Sequence, residues 1–186
     1  VTTFRRVNTN PDGEDLENVN YSMIVSINID ENGIAWLTTA YGGVLILYPN
    51  KGFEVERNVG EQPISDHNIT AFLKDQDGVL YKGTLSEGLF WKPRLSGFAP
   101  IPHIGHVKIH CLYEHGDRLF VGTASGLFIV ENKDFGRAKQ LFPGQKITAV
   151  CVDRQDRLWI GTQQSGLKMS PYSPEERDWN KWTVFS

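Results

Sequence analysis

The sequence predicts an all-β fold, a β-propeller with four recognisable four-stranded blades. Three observations carry that expectation: one motif returns four times, its period is close to forty residues, and its central strand is apolar on both faces. The motif is plainest at Arg157-Leu158-Trp159-Ile160-Gly161-Thr162, followed by Gly166-Leu167. Relatives stand at Ile34-Ala35-Trp36-Leu37-Thr38-Thr39 with Gly42-Gly43, at Val79-Leu80-Tyr81-Lys82-Gly83-Thr84 with Gly88-Leu89, and at Arg118-Leu119-Phe120-Val121-Gly122-Thr123 with Gly126-Leu127. Aromatic residues at 36, 81, 120 and 159 set steps of 45, 39 and 39 residues, the period of a unit made of several short strands. Leu158, Trp159 and Ile160 are consecutive apolar residues, and consecutive side chains on a strand point to opposite faces. Both faces must then be covered, as in a blade wedged between neighbours, whereas a two-layer sandwich would leave one face wet.

Composition agrees. Among 186 residues there are 18 Gly, 9 Pro and 11% aromatics, and no long run of helix formers at helical spacing, which favours strands joined by tight turns. The net charge is −3 and the 19 basic residues are scattered, so the chain lacks the electrostatic footprint of a nucleic-acid or anionic-membrane binder. No apolar run approaches the ~20 residues that span a bilayer. No signal peptide is present at Val1, and the chain starts without Met, which we read as a mature or excised segment. Cys111 and Cys151 fall in apolar runs on equivalent strands of neighbouring units, and are expected to be free and buried.

Taken in order, the chain reads as a single propeller segment over 1–186. Residues 1–22 hold a strand-like Phe4-Arg5-Arg6-Val7, read as the last strand of a preceding blade, and a polar connection with a turn at Pro11-Asp12-Gly13. The blades are expected at 23–57, 67–102, 107–143 and 146–185. In the first, strands are placed at 23–29, 34–39, 43–48 and 53–57, and in the second at 68–74, 79–84, 88–92 and 97–101, with Phe98 in the fourth strand. The third and fourth units make longer excursions before their last strands, and Trp182-Thr183-Val184-Phe185 closes the fourth. Each second strand is preceded by an apolar run ending in an acidic turn, at Asp30, Asp75, Glu114 and Asp153. Gly88, Gly126 and Gly166 relieve the backbone where the next turn tightens.

The pattern apolar run, Asp-x-x-Gly, x-Leu-Trp-Ile-Gly-Thr, x-x-x-Gly-Leu resembles the two-component regulator propeller repeat, most closely over Asp153 to Leu167. The resemblance covers four units, about 23–185. It departs at Thr38 in place of Gly, at Tyr81-Lys82 in place of Trp-Ile, and at Phe120, where the turn is one residue shorter. Such repeats build the periplasmic sensor region of hybrid two-component histidine kinases, where propellers detect glycan breakdown products. The resemblance therefore implies a larger, seven-bladed ring, a periplasmic location, an oligosaccharide ligand, and a membrane link only through parts of the parent protein beyond this segment.

The acidic turns Asp30-Glu31-Asn32-Gly33 and Asp75-Gln76-Asp77-Gly78 look like the start of a calcium loop but lack the closing Glu, and Asp, Asn and Gly are ordinary turn residues. His103, His106 and His110, with Glu114 and His115 beyond, form the densest group of metal-capable residues, but Pro102 and Gly105 put the first two on an exposed connection. We expect no metal, no cofactor and no catalytic residue, since neither cysteine is poised and no nucleophile elbow is present. Tyr41, Glu87, Ser125, Gln163 and Gln164 all lie between second and third strands, on one face of a propeller. The connections between units, with His67, His103 and His106, share that face, so these eight are the candidate ligand-binding residues. The expected function is ligand recognition in an extracytoplasmic sensor. The alternatives are a lyase or glycan-cleaving propeller enzyme, or a structural or protein-interaction propeller. A four-blade segment should also leave apolar faces at both ends, to be covered by further blades or a second copy of the chain.

Overall fold

The structure, a computed structural model, describes residues 24–39, 43–49, 52–56, 69–93, 97–171 and 182–185. The strand expected at Phe4 to Val7 lies outside them, as does most of the excursion before the last strand.

Among the described residues sixteen strands form four antiparallel sheets of four, each in simple up-and-down order. Blade 1 holds β1 (Ile24–Ile29), β2 (Ala35–Thr39), β3 (Gly43–Tyr48) and β4 (Gly52–Glu56). Blade 2 holds β5 (Ile69–Lys74), β6 (Leu80–Thr84), β7 (Leu89–Lys92) and β8 (Ala99–Pro100). Blade 3 holds β9 (Ile109–His115), β10 (Arg118–Thr123), β11 (Gly126–Glu131) and β12 (Lys139–Leu141). Blade 4 holds β13 (Ile147–Val152), β14 (Arg157–Thr162), β15 (Leu167–Pro171) and β16 (Thr183–Phe185). The sequence placed Phe98 inside the fourth strand of blade 2. It precedes β8 instead, half-buried against the core between blades 1 and 2, with the Lys82 ammonium 5.0 Å above its ring.

The first strands pack in series, β1 on β5, β5 on β9 and β9 on β13. Among the described residues β13 and β1 make no comparable contact. Three cores therefore occupy the three joints. Trp36, Val44 and Ile46 of blade 1 meet Ile69 and Phe72 of blade 2, with the Trp36 and Phe72 rings stacked at 5.5 Å. Ala71, Leu73, Tyr81 and Leu89 meet Ile109, Leu112, Val121 and Phe128 at the second joint. Phe120, Leu127 and Ile129 meet Ile147, Leu158 and Ile160 at the third. Alternation on each strand thus feeds two cores at once, which is why consecutive apolar residues are needed.

Two sequence expectations change at the end of the array. Leu158 and Ile160 are fully buried against blade 3, but Trp159, on the opposite face, is only half-buried. Its counterparts Trp36, Tyr81 and Phe120 are 9%, 1% and 0% exposed. Among the described residues no further blade packs on Trp159; it stacks instead on Phe185 at 5.8 Å. For the same reason Cys151, expected to be buried, is exposed, while Cys111, on the inner strand of blade 3, is intermediate; both are free.

Candidate functional site

The face carrying the second-to-third-strand turns is built by the threonine that ends each second strand. Thr84 Oγ1 donates to the carbonyl of Gly88 at 2.9 Å and accepts the Glu87 N–H at 2.9 Å. Thr123 Oγ1 does the same with Gly126 O at 2.8 Å and Ser125 N at 3.0 Å, and Thr162 Oγ1 with Gly166 O at 2.8 Å and Ser165 N at 2.9 Å. The hydroxyl replaces backbone partners inside the turn, a local bond that Ser and Thr offer readily. Gly88, Gly126 and Gly166 take φ values of 85°, 147° and 68°, and at Gly88 any side chain would also strike the carbonyl of Gly105. Only glycine suits such a position.

These turns are tied to the connections between blades. Ala124 N donates to Lys108 O at 2.9 Å and Gln163 N to Lys146 O at 3.0 Å. Ser125 O accepts Gly144 N at 2.8 Å and Gln140 Nε2 at 3.0 Å. The contact of Gly88 with Gly105 brings the Glu87 turn against the His103 to His106 connection. Glu87, His103, His106, Gln163 and Gln164 are exposed there, and Ser125 is half-buried with its Oγ 3.3 Å from Thr123 Oγ1. Tyr41 and His67 lie outside the described residues. Glu87 and the two histidines thus share one joint, while Gln163 and Gln164 sit on the last blade, two turns away.

Sequence reasoning missed the polar groups beneath this face. Each inner strand opens with an Ile followed by a bulge, and the extra residue is Thr70, His110 or Thr148 in blades 2, 3 and 4. Thr70 Oγ1 spends its proton on the carbonyl of Ile109 in the next blade. His110 does not: its Nε2 is buried without a partner, as is Gln145 Oε1. Burial, then the charges of Lys108 and Lys146, hold the His110 pKa below its ordinary value, so the ring is neutral. Lys108 and Lys146 occupy equivalent places just before Ile109 and Ile147. Among the described residues neither ammonium enters an ion pair or hydrogen bond. The signal available in the sequence was a histidine where the neighbouring repeats have threonine, with lysine two residues before one bulge and two before the next.

The opposite rim is occupied by structural chemistry. Asp75 Oδ1 accepts the N–H groups of Asp77 and Val79 at 3.0 and 2.8 Å, and Oδ2 takes the Tyr81 hydroxyl at 3.2 Å and Lys133 Nζ of blade 3 at 2.8 Å. Asp30 is engaged likewise by Asn32 N, Ile34 N, Trp36 Nε1 and Lys74 Nζ of blade 2. Burial works to raise the Asp30 pKa, but these donors together hold it below its ordinary value. Asp153 follows the same rule, its Oδ2 receiving Trp159 Nε1 and Arg157 Nε, both at 2.7 Å. Here too burial opposes ionisation and the hydrogen bonds, Trp159 foremost, prevail, keeping the carboxyl well below the usual range. The acidic turn is therefore a clamp on the second-strand aromatic. Blade 3 departs from it: Glu114 serves Gln76 N of blade 2 at 3.1 Å, its turn is Gly116-Asp117, and the aromatic is Phe120, which has nothing to donate.

Two hollows of about 210 and 190 Å³ lie along this rim. Asp75, Tyr81, Glu114, Arg118, Lys133 and Phe135 line the larger, but its charged groups are engaged with one another, Arg118 with Glu131 at 3.0 Å and Lys133 with Asp75 and Asp77. No group of three His, Cys, Asp or Glu among the described residues could hold a metal ion. Burial pushes the Cys111 thiol up to about 12 and also raises Cys151, with Asp153 adding to it, so both are thiols near neutrality and poor nucleophiles.

Residues 141–164 match the family described as two component regulator propeller. No curated protein matches the sequence. In fold, the chain is similar to the extracellular domain of a putative hybrid two component system from B. thetaiotaomicron, at 22% identity and a TM-score of 0.58 over 80% of this chain and 21% of that one. A second such domain from the same organism matches at 20% identity and a TM-score of 0.51, over 75% and 19%. PorZ, a surface component of the type-IX secretion system of Porphyromonas gingivalis, matches at 19% and 0.57, over 81% and 26%. The chain thus spans about a fifth to a quarter of the length of these proteins. Its fourth unit matches the family in sequence, and the other three share that unit's strand pairing, bulge and second-strand aromatic. Residues 141–164 thus carry the two-component regulator propeller repeat, on a β-propeller fold that the other three blades share.

Proposed function

We propose that this chain is the ligand-recognition part of an extracytoplasmic sensor in a two-component signalling system, binding oligosaccharides without transforming them. The observation that carries the reading is the turn face, where His110 Nε2 and Gln145 Oε1 are left without partners near two unpaired lysines. A buried polar atom without a partner is costly, and a hydroxyl-rich ligand supplies both donors and acceptors. Lys108 and Lys146 add a preference for an oligosaccharide bearing a carboxylate or sulfate. The threonine-locked turns of blades 3 and 4 hold Ser125 and Gln163 on the same face at little ordering cost, tied to the connections that carry Gln145 and Lys146. No helix of the described residues is long and apolar enough to cross a membrane, and the similar extracellular domains support placing this one outside the cytoplasm.

The test is a binding titration against neutral and acidic oligosaccharides, with the products checked by chromatography. An acidic oligosaccharide should bind and be recovered intact, and Lys108→Ala with Lys146→Ala should weaken it by about tenfold or more. Equal binding of neutral and acidic sugars to the wild type and the double variant would refute the site. Turnover would move the assignment to a propeller enzyme.

A further inference from the structure

The bulge after the first Ile of an inner strand holds a polar residue in blades 2, 3 and 4, and the one in blade 3 is handled differently. Thr70 Oγ1 donates to the carbonyl of Ile109 in the next blade, and Thr148 Oγ1 to the carbonyl of Gly161 in its own blade at 3.2 Å. His110 occupies the same place in blade 3, and its Nε2 is buried without a hydrogen bond. Packing alone is met there by threonine, or by Val25 in blade 1. A buried nitrogen left unpaired lowers stability, so the histidine is not explained by the fold.

The charges around the ring are equally particular to this joint. The residue before the first Ile is Met23, Asn68, Lys108 and Lys146 in the four units, so among the joints described only that of blades 3 and 4 has a lysine on each side. Equivalent hydrogen bonds fix both lysine backbones, Ala124 N to Lys108 O at 2.9 Å and Gln163 N to Lys146 O at 3.0 Å. At this end of the strands β5 brings Thr70, β6 Thr84, β10 Thr123 and β13 Thr148, none of them charged. Lys74, Arg118 and Asp153 end or begin their strands at the opposite rim, as do Glu114 and His115 of β9 itself, and His103 and His106 on the connection before β9 are exposed. Burial is the larger cause of the ring's neutrality, and the ammonium groups of Lys108 and Lys146 are the second. An anion held by those two groups cancels the second cause and favours the imidazolium. We propose that the seat formed by Lys108 and Lys146 takes up an anionic group and a proton together, the proton settling on His110. This rests on the reading of the face as a ligand site and adds its regulation: an acidic oligosaccharide is held more tightly in an acid medium and released as pH rises. Below the value at which the free ring titrates, His110 is charged with or without ligand and affinity does not change. Between the free and bound values affinity falls with rising pH, by at most about tenfold per unit for one proton.

The probes are inorganic sulfate and a galacturonate trisaccharide, whose charges do not change near neutral pH. Calorimetry of the full chain in a pair of buffers with different ionisation enthalpies counts the protons taken up with each probe. Nuclear magnetic resonance follows the His110 ring, assigned by the signal lost in His110→Thr. The wild type should take up protons on binding, and its His110 signal should titrate at higher pH with either probe than without. His110→Thr restores the residue of blades 2 and 4, so it should keep the wild-type circular dichroism, bind both probes without proton uptake, and show an affinity flat in pH. Binding to the wild type without proton uptake, or a pH dependence that survives in His110→Thr, would overturn the proposal and leave the ligand site standing. Failure of both probes to bind the wild type would overturn the proposal and the ligand site together.

Discussion

Replacing Asp75 by Ala removes one acceptor from four donors at once. Its carboxylate is 5% exposed and sits over Tyr81, itself 1% exposed, and receives Val79 N at 2.8 Å, Asp77 N at 3.0 Å, the Tyr81 hydroxyl at 3.2 Å and Lys133 Nζ at 2.8 Å. Lys133 keeps Asp77 at 2.6 Å and partial access to solvent, and Asp77 is exposed, so neither should suffer much. Val79 N and the Tyr81 hydroxyl have no such recourse, and a buried donor left unpaired costs about 1–3 kcal/mol. The expected loss is about 3–5 kcal/mol, measured by urea unfolding followed by tryptophan fluorescence and circular dichroism. Tyr81→Phe alone should cost only about 1 kcal/mol. In the double variant the phenol is no longer orphaned, so the losses should fall short of additivity by about 1 kcal/mol or more. A loss below about 1 kcal/mol for Asp75→Ala, or strict additivity with Tyr81→Phe, would refute the clamp as the function of the acidic turn.

Phe120→Ala should cost about 3–5 kcal/mol, since that ring is fully buried between blades 3 and 4, and Trp159→Ala clearly less in the single chain; equal costs in urea unfolding would contradict the open end. Gly83→Ala should destabilise by about 1–3 kcal/mol because the new methyl collides with Ile109, whereas Gly161→Ala should be near neutral in the same assay. The depressed pKa of Asp30 means its contribution is present above the unfolded value of about 4 and is lost as pH falls through the lower folded value. Acid titration of stability should therefore fall off below about pH 4, and less steeply in Asp30→Asn. Burial raises the pKa of Glu114, which has the opposite sign: its folded form is penalised as pH rises through about 4 and beyond, so the advantage of Glu114→Gln over wild type should grow from acid toward neutral pH. An advantage that shrinks over that range would show the sign to be wrong.

The repeat was legible because each copy must solve the same local problem with the same residues. A second strand that feeds two cores needs consecutive apolar side chains, the place before its last threonine takes glycine in blades 2 to 4 and Thr38 in blade 1, and the turn after it takes a positive-φ glycine in blades 2 to 4. Those demands act within some ten residues of chain, so they appear as a pattern in Arg157 to Leu167 and its relatives. The exception in the third unit was also visible as a shortened turn at Phe120, but the fate of Glu114 was not. Its carboxylate reaches back to Gln76, 38 residues earlier, and no local pattern marks that pairing.

The candidate face divides the same way. The sequence alone determined that Glu87, Ser125, Gln163 and Gln164 fall in equivalent turns, and that His103 and His106 lie on a connection beside them, because turn position follows from strand order. Only the tertiary structure decided which polar groups are left unpaired: Thr70 and His110 occupy the same bulge, yet Thr70 finds Ile109 O in the next blade while the His110 ring, between the charges of Lys108 and Lys146, finds nothing. Likewise the sequence made Trp36, Tyr81, Phe120 and Trp159 alike, and the structure separated them. Periodicity states which face of a strand is apolar; whether that face is covered depends on a neighbouring blade, and among the described residues none packs on Trp159 or Ile24.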